Sequence, residues 1–278
     1  MTESLRHDAS HSEHPALHCP KTSRHGIAGK SILSVVLVML VYCGVMTTAH
    51  ANPPFQTDDP GVFPKHTGET YLFSSGTHSA GGTTLGAAPG AEINYSFFKN
   101  TFAHLLVPLT YNNPRHGGSN YGIGNIELGF KWRFLSQAHD GIDVATFPLV
   151  ELPTGNASRG LGSHHANFFL PIWIEKNWGP WTVYGGGGRW FKPNPGQHNY
   201  WFSGVVVQRH FNSKLYLGSE VFHETPRVKN GPSATGFNIG GGYTFDSPWQ
   251  VLFSAGRNIT DISDNRFSYY LALYRTFG

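Results

Sequence analysis

Residues 125–134 read Asn-Ile-Glu-Leu-Gly-Phe-Lys-Trp-Arg-Phe, and their pattern is the clearest indication of the fold. Its large apolar positions are Ile126, Leu128, Phe130, Trp132 and Phe134, and its polar or small ones are Asn125, Glu127, Gly129, Lys131 and Arg133. Successive side chains of a β-strand point to opposite faces, so this period of two predicts a strand with one apolar and one charged face. Such a strand fits a soluble sandwich with its apolar face on a core. It equally fits a membrane barrel with that face on lipid.

The same alternation recurs along the chain and predicts twelve strands. Most are about ten residues long, the length that a tilted strand needs to cross a bilayer. The predicted strands lie at 68–77, 91–98, 101–111, 123–135, 142–152, 166–177, 181–191, 200–210, 214–223, 234–245, 249–257 and 266–277.

The connections between these strands favour the barrel. Long connections, such as 78–90 and 153–165, alternate with short turns, such as 99–100 and 212–213. Outer-membrane barrels have short periplasmic turns and longer external loops, whereas a Greek-key sandwich has no reason to alternate in this way. The sequence therefore predicts an all-β fold, a closed up-and-down antiparallel transmembrane β-barrel of about twelve strands. An even number of strands places both termini in the periplasm.

A secretory leader is predicted at the N-terminus. Basic residues that include Arg24 and Lys30 precede an apolar run at 32–45, and small residues at the A-x-A positions end at Ala51. This order predicts a signal peptide over residues 1–51 that is cleaved after Ala51. The apolar run is shorter than the roughly 20 residues of a transmembrane helix, so an inner-membrane anchor is disfavoured.

The leader sets the domain boundaries. Residues 52–67 are expected to form a periplasmic extension or plug segment, and residues 68–278 the barrel, located in the outer membrane of a Gram-negative cell. Cys19 and Cys43 both precede the predicted cleavage point. The exported chain is therefore expected to contain no disulfide.

The composition agrees with an exported barrel. Charged residues are 13% of the chain and aromatic residues 14%, and the net charge is +3. An average soluble domain has about 25% charged residues. The basic residues form no block, so no nucleic-acid partner is expected. The expected partners are outer-membrane lipids, a small-molecule solute, and the barrel-insertion machinery that reads an aromatic-rich last strand such as 269–277. No cofactor is expected.

Several motifs occur in an order that resembles a known family. They are Phe55-Gln56-Thr57-Asp58-Asp59-Pro60-Gly61, Pro89-Gly90-Ala91-Glu92-Ile93-Asn94-Tyr95, Tyr121-Gly122-Ile123-Gly124-Asn125-Ile126-Glu127-Leu128-Gly129-Phe130-Lys131, Glu151-Leu152-Pro153-Thr154-Gly155 and Gly160-Leu161-Gly162. Together they resemble the MetA-pathway of phenol degradation family of bacterial outer-membrane proteins. The resemblance implies a transporter-like barrel that passes aromatic or other small organic compounds, and it implies no catalytic residues.

The candidate functional residues are the charged side chains predicted to line the lumen. They are Glu92, Glu127, Lys131, Arg133, Glu151, Glu175, Arg189 and Glu220. Such residues select the solutes that enter a pore. Alternatively, they neutralise one another and rigidify the barrel, and the sequence leaves both possibilities open.

Two further candidates, Asp58 and Asp59, precede Pro60-Gly61. They are candidates for a plug that pairs with lumen cations. Ordinary turn chemistry is the favoured interpretation, because Asp is common beside Pro and Gly in turns. In either case the segment is expected at or inside the periplasmic opening.

Aromatic residues concentrate near the predicted strand ends, which predicts girdles at both membrane surfaces. The members are Trp178, Trp181, Trp190, Tyr200, Trp201, Trp249, Phe267 and Tyr274.

Catalytic and metal motifs are weak. No Gly-x-Ser-x-Gly occurs, and Ser219 with His223 or Ser163 with His164 are pairs that a histidine-rich chain offers by chance. His164-His165 alone falls short of the three or four ligands that a metal needs. The leading hypothesis is a channel or transporter for small organic solutes and no enzyme. A closed structural or adhesin-like barrel and an outer-membrane lipid hydrolase remain as alternatives.

Overall fold

The computed structural model of the protein describes residues 53–278. The predicted leader, with Cys19, Cys43 and the cleavage point after Ala51, lies outside the described residues. No helix within 53–278 is long and apolar enough to cross a membrane. The strands are β1 (Gly68–His78), β2 (Thr84–Tyr95), β3 (Thr101–Asn113), β4 (Asn120–Ile123), β5 (Ile126–Leu135), β6 (Asp143–Thr146), β7 (Leu149–Leu152), β8 (Asn167–Trp178), β9 (Trp181–Phe191), β10 (Tyr200–His210), β11 (Leu215–Glu224), β12 (Ala234–Thr244), β13 (Trp249–Thr260) and β14 (Phe267–Phe277). Two short helices, α1 (Gln137–Asp140) and a 3₁₀ turn (Ala157–Arg159), lie in connections.

The strands form one antiparallel sheet that closes on itself. Strand β14 pairs with β1 along its whole length, from Gly68 opposite Phe277 to His78 opposite Phe267. Strands β4 and β5 both pair with β3, and β6 and β7 both lie between β5 and β8. Each of these two pairs is one barrel strand with an interruption, so the fourteen segments form a barrel of twelve strands. The predicted closed barrel is confirmed, and closure leaves no second sheet for a sandwich.

The second strand begins earlier than its sequence predicts. The connection predicted at 78–90 is only 79–83, because β2 starts at Thr84. A β-bulge between Ala87 and Gly90 accommodates Pro89, which lacks the N–H for regular pairing. Gly90 is required there, because a β-carbon would lie 2.1 Å from the ring of Phe73.

The connections define two ends of the barrel. The turn end carries the start of β1, the C-terminus and the connections 96–100, 136–142, 179–180, 211–214 and 245–248. The loop end carries 79–83, 114–119, 153–166, 192–199, 225–233 and 261–266. The predicted long–short alternation holds from 153 onward. In the first hairpins it does not, because the extension of β2 shortens the connection at 79–83.

Large apolar side chains cover the outside of the barrel. Ile239 is 60% exposed and Leu271 51% exposed in the middle of their strands, and the outward positions of β5 and β8 are equally apolar. A soluble protein rarely exposes a continuous apolar surface of this extent, whereas a membrane barrel places it against lipid. The predicted outward register of Leu128, Phe130 and Trp132 is observed.

The predicted aromatic girdles are only partly correct. Trp178, Trp181 and Trp249 face outward at the turn end, and Trp201 and Phe267 do so at the loop end. The other three residues face the lumen. They are Trp190, Tyr200 and Tyr274. Each is next to a residue that faces outward, and adjacent side chains of a strand point to opposite faces.

Candidate functional site

Residues 53–64, called the N-terminal segment below, run inside the barrel. The hydroxyl of Ser254 on β13 donates to the Pro54 carbonyl. At the other end of the segment, the ring of Phe63 stacks on Phe102 of β3 with centroids 5.0 Å apart. Because β3 and β13 lie in different parts of the wall, a segment that contacts both must lie in the lumen.

Lys131 holds this segment near the turn end. Its side chain is fully buried, and its ammonium donates to Oδ1 of Asp58 at 2.9 Å and to the Asp59 carbonyl at 2.8 Å. The same nitrogen lies 5.0 Å from the ring centroid of Phe102 and 4.8 Å from that of Phe147. A buried ammonium is tolerated only when its charge is paired in this way. Lys131 therefore ties β5 to the N-terminal segment.

Asp58 and Asp59 also make the turn contacts that the sequence favoured. Oδ1 of Asp58 accepts the N–H of Asp59, and Oδ1 of Asp59 accepts the N–H of Gly61. The Asp59 carboxylate lies 4.0 Å from the Lys131 ammonium. Burial raises the pKa of Asp59 to about 7, and the attraction of Lys131 offsets only part of that effect. Turn chemistry and pairing with a lumen cation thus coexist in one short segment.

Glu220 binds Gln56 and Thr57 of the N-terminal segment. Its fully buried carboxylate accepts the backbone N–H groups of Gln56 and Thr57 and the side-chain amide of Asn238. On the neighbouring strand β10, Gly204 leaves room for Thr57, since a β-carbon on Gly204 would lie 1.9 Å from the Thr57 hydroxyl. The wall is therefore shaped for this segment by both a carboxylate and a missing side chain.

A second cluster of polar groups lies on β2, β3 and β5. Nε2 of His104 is 3.1 Å from Glu127 Oε1, and its Nδ1 is 3.5 Å from Glu92 Oε1. Asn94 contacts the same imidazole, with its Oδ1 2.7 Å from Nδ1, and its amide donates to Glu92. Two carboxylates therefore share one imidazole at this point in the lumen.

The remaining lumen candidates have local partners. Arg133 lies 3.4 Å from Asp143, and Glu151 lies 3.2 Å from Lys192. Glu175 accepts the side-chain amide of Asn177. These contacts support mutual neutralisation for this part of the wall.

The prediction that Arg189 lines the lumen is wrong. Arg189 pairs across the sheet with Leu170 and Trp201, which both face outward, and its guanidinium lies over the rings of Phe191 and Trp201. The preceding residues 185–188 are all glycine. Glycines have no side chain that would indicate an inward or outward position. Which residues of β9 face the lumen is therefore clear only from its pairing with β8 and β10.

A cavity of about 390 Å³ lies beside the N-terminal segment and reaches toward the loop end. One side has an aromatic wall: the ring of Trp190 stacks on Phe169 at 4.7 Å and continues to Tyr200 at 6.4 Å. Glu127 and His104 lie on the lining too. The sequence did not predict this wall. Phe169 and Tyr200 directly precede Leu170 and Trp201, which face outward. Because adjacent residues of a strand point to opposite faces, Phe169 and Tyr200 could have been predicted to face the lumen.

The weaker candidates do not assemble into sites. His223 contacts Thr235 through Nδ1, and the Ser163 hydroxyl donates to the carbonyl of His165, so neither Ser–His pair forms. Among residues 53–278, no three His, Cys, Asp or Glu side chains converge in a way that could hold a metal ion. His164 and His165 lie exposed in the connection 153–166.

A closed twelve-strand barrel with an apolar outside and a polar lumen is the architecture of the outer-membrane β-barrel proteins. No family model matches the chain, and no curated protein is significantly similar to it. Among solved structures, the crystal structure of the COG4313 outer membrane channel from Pseudomonas putida F1 is similar, with a TM-score of 0.63 and 17% identity. The match covers 82% of this chain and 100% of that one.

Two more distant barrels have TM-scores below 0.5. The translocator domain of the autotransporter NalP from Neisseria meningitidis has a TM-score of 0.42 and 11% identity, over 89% of this chain and 96% of that one. OccK2 from Pseudomonas aeruginosa, solved in complex with glucuronate, has a TM-score of 0.36 and 9% identity, over 77% and 97%. At these identities the likeness concerns the fold.

Proposed function

We propose that the protein is an outer-membrane channel for small organic solutes, aromatic ones among them, and that the N-terminal segment is its plug. The observation that carries the proposal is the cavity beside that segment, which lies in the lumen of a lipid-facing barrel. A twelve-strand barrel is wider than the filled eight-strand barrels and narrower than the sixteen-strand porins. A small solute therefore fits its lumen once the segment moves.

The contacts of the segment support a reversible plug. Its polar anchors are an ion pair at Lys131, backbone hydrogen bonds to Glu220 and the hydrogen bond from Ser254. Phe63 adds an apolar contact with Phe102, and no strand pairing joins residues 53–64 to the wall. These contacts can break without unfolding the barrel, because the hydrogen bonds between neighbouring strands do not involve the N-terminal segment. The likeness to the Pseudomonas putida channel supports a related role, and the sequence motifs support membership of the phenol-degradation family.

The proposal extends to how the protein reaches the membrane. Residues 1–51 act as an export signal that is removed after Ala51. The barrel-insertion machinery recognises the aromatic last strand, β14. The protein then resides in the outer membrane of a Gram-negative cell, with the turn end of its barrel and its C-terminus in the periplasm and no catalytic role.

A disulfide lock tests the plug. A β-carbon on Gly204 would lie 3.2 Å from Cβ of Thr57, close to the separation of about 3.5–4.5 Å found in disulfides. The only native cysteines, Cys19 and Cys43, belong to the proposed leader. The variant Thr57→Cys/Gly204→Cys is therefore expected to form a single internal bond. In planar bilayers it should stay closed when oxidised and conduct after reduction.

The control is the single variant Thr57→Cys, whose conductance should not respond to reductant. Equal conductance of the oxidised and reduced double variant would refute the plug. A barrel that inserts but conducts in neither state would instead favour the closed structural or adhesin-like alternative. Lipid turnover by the purified protein in detergent would favour the hydrolase.

A further inference from the structure

We propose that the cavity beside the N-terminal segment is a binding site for small aromatic amines, the amine lying at Glu92 and Glu127 and the ring on the wall formed by Phe169, Trp190 and Tyr200. This inference rests on the proposed function and adds the chemical class of the solute. Three observations carry it: the charge balance of the lining, the arrangement of the rings, and an unpartnered buried donor.

The charges that line the cavity leave a negative excess. Glu224 is paired with Arg227 in the lining, and Asp58 is paired with Lys131 beneath it. Each of these two cations also faces a second carboxylate, Asp59 at Lys131 and Asp264 at Arg227, so neither supplies a spare positive charge.

Glu92 and Glu127 remain, and they share the single imidazole of His104. One carboxylate charge of this group is thus unmatched in the lining of the cavity. A protonated amine supplies the missing charge and donates hydrogen bonds to carboxylate oxygens, whereas an anion is repelled there.

The rings form a stack along one side of the cavity. Phe169 and Trp190 are nearly parallel, with 13° between their planes, and Trp190 and Tyr200 differ by 20°. Phe147 lies edge-on to His104 at 5.4 Å and so connects the polar cluster to the aromatic wall. A ligand with a planar ring and a short arm contacts both regions at once, because aromatic groups stack favourably at these separations.

Beside this wall, the cavity lining contains a buried polar atom that has no hydrogen-bond partner among residues 53–278. Trp173 is 1% exposed and lines the cavity, and its indole Nε1 has no hydrogen-bond acceptor within the described part of the chain. A buried donor without an acceptor is unfavourable, so an acceptor on a ligand that reaches this nitrogen would stabilise it. A ring hydroxyl on the ligand supplies the acceptor.

Cations already present at the loop end do not reverse this preference. Lys192 lies 4.3 Å from the ring centroid of Trp190, and Arg227 lies 5.4 Å from that of Tyr200. Each is neutralised by a carboxylate, Glu151 and Glu224 respectively. Both contacts also demonstrate that these ring faces accommodate cationic groups.

Three probes with the same hydroxyphenyl ring and two-carbon arm test the charge preference: tyramine, which is cationic, tyrosol, which is neutral, and the hydroxyphenylpropionate anion. Binding to the purified protein in detergent is measured by titration calorimetry. We expect tyramine to bind about tenfold more tightly than tyrosol, the value of one charge-assisted hydrogen bond over a neutral one. The anion should bind more weakly than both.

Two lumen variants locate the site. Glu127→Gln should reduce the tyramine preference to about twofold or less, since a neutral amide cannot attract the ammonium. Trp190→Leu should weaken all three probes alike. The matched controls are Trp201→Leu, at the same strand end but on the outer face, and Asp246→Asn in a turn-end connection, and both should bind like the parent protein.

The outcomes separate the site from the channel. Equal affinity for the three probes, or a tyramine preference that survives Glu127→Gln in a variant with unchanged thermal unfolding, overturns the amine site. Reduction-dependent conductance without any amine preference leaves the channel intact and removes this inference. Amine binding by a protein that never conducts supports the site and contradicts the channel.

Discussion

The ammonium of Lys131 lies 2.9 Å from Oδ1 of Asp58, and this ion pair joins the barrel wall to a segment 73 positions earlier in the chain. The Lys131 side chain has no exposure, and that of Asp58 is 20% exposed. The pair is therefore shielded from bulk solvent, and its strength controls how firmly the N-terminal segment is held.

Replacing Lys131 by methionine should loosen the segment. We expect Lys131→Met to lower the free energy of unfolding by about 3 kcal/mol, because one member of a largely buried ion pair loses its partner. Conductance in planar bilayers should rise in the same variant. The control is Lys214→Met, which removes an exposed pair with Asp246 and should cost less than about 1 kcal/mol. Unchanged conductance of Lys131→Met would contradict the role of the pair.

A methyl group on Gly204 should displace the segment. The Gly204→Ala side chain would collide with the Thr57 hydroxyl, and overpacking of this kind costs about 1–3 kcal/mol. The double variant Gly204→Ala/Thr57→Gly should restore parental conductance, because the colliding atoms are gone. Gly118→Ala is the control, since no atom lies within 4 Å of its added β-carbon. A double variant that conducts like Gly204→Ala would argue against a direct contact.

Docking of the segment should weaken as the pH rises. Burial raises the pKa of Asp59 from 3.8 to about 7 in the docked state, whereas a released Asp59 in water has its ordinary value. The docked state therefore binds the proton more tightly, and its advantage is complete below about pH 4 and lost by about pH 7. The charged groups facing Asp59 are Asp58, Lys131, Asp143 and Glu175.

The measurement is the open probability in planar bilayers as a function of pH. The parent protein should open more often as the pH rises over that interval. Asp59→Asn, which cannot ionise, should lose most of this change. An Asp59→Asn protein that keeps the full pH dependence would assign it to another lumen group.

A charge on the outer surface should distinguish a lipid-facing wall from a water-facing one. Ile239 is 60% exposed at the middle of β12, and Ile239→Lys should cost about 2–4 kcal/mol of unfolding free energy in bilayers. Val228, 48% exposed in a loop-end connection, provides the control Val228→Lys, which should have little effect. Denaturant titration of the protein refolded in liposomes measures both. Equal, small effects would indicate that Ile239 faces water.

Much of the fold was predictable because it depends on local alternation. In residues 125–134 each side chain faces the side that its position in the period of two assigns to it. The count of twelve strands follows from the same local signal. A run of glycines carries no alternation of apolar and polar side chains. The glycines at 185–188 therefore led to the wrong face for Arg189. The early start of β2 escaped detection for a similar reason, since Gly86 and Pro89 are typical of loops.

Alternation along the chain was enough to predict the class of fold, the inward face of seven of the eight charged lumen candidates and a position near the barrel opening for Asp58 and Asp59. It could not predict that Lys131 pairs with Asp58, that Glu220 binds the backbone of Thr57, or that Phe169 and Trp190 form one wall of a cavity. The physical reason is the range of the interactions. Alternation is a property of neighbours along one strand, whereas pairing across a lumen depends on how the sheet closes and which distant groups it brings together.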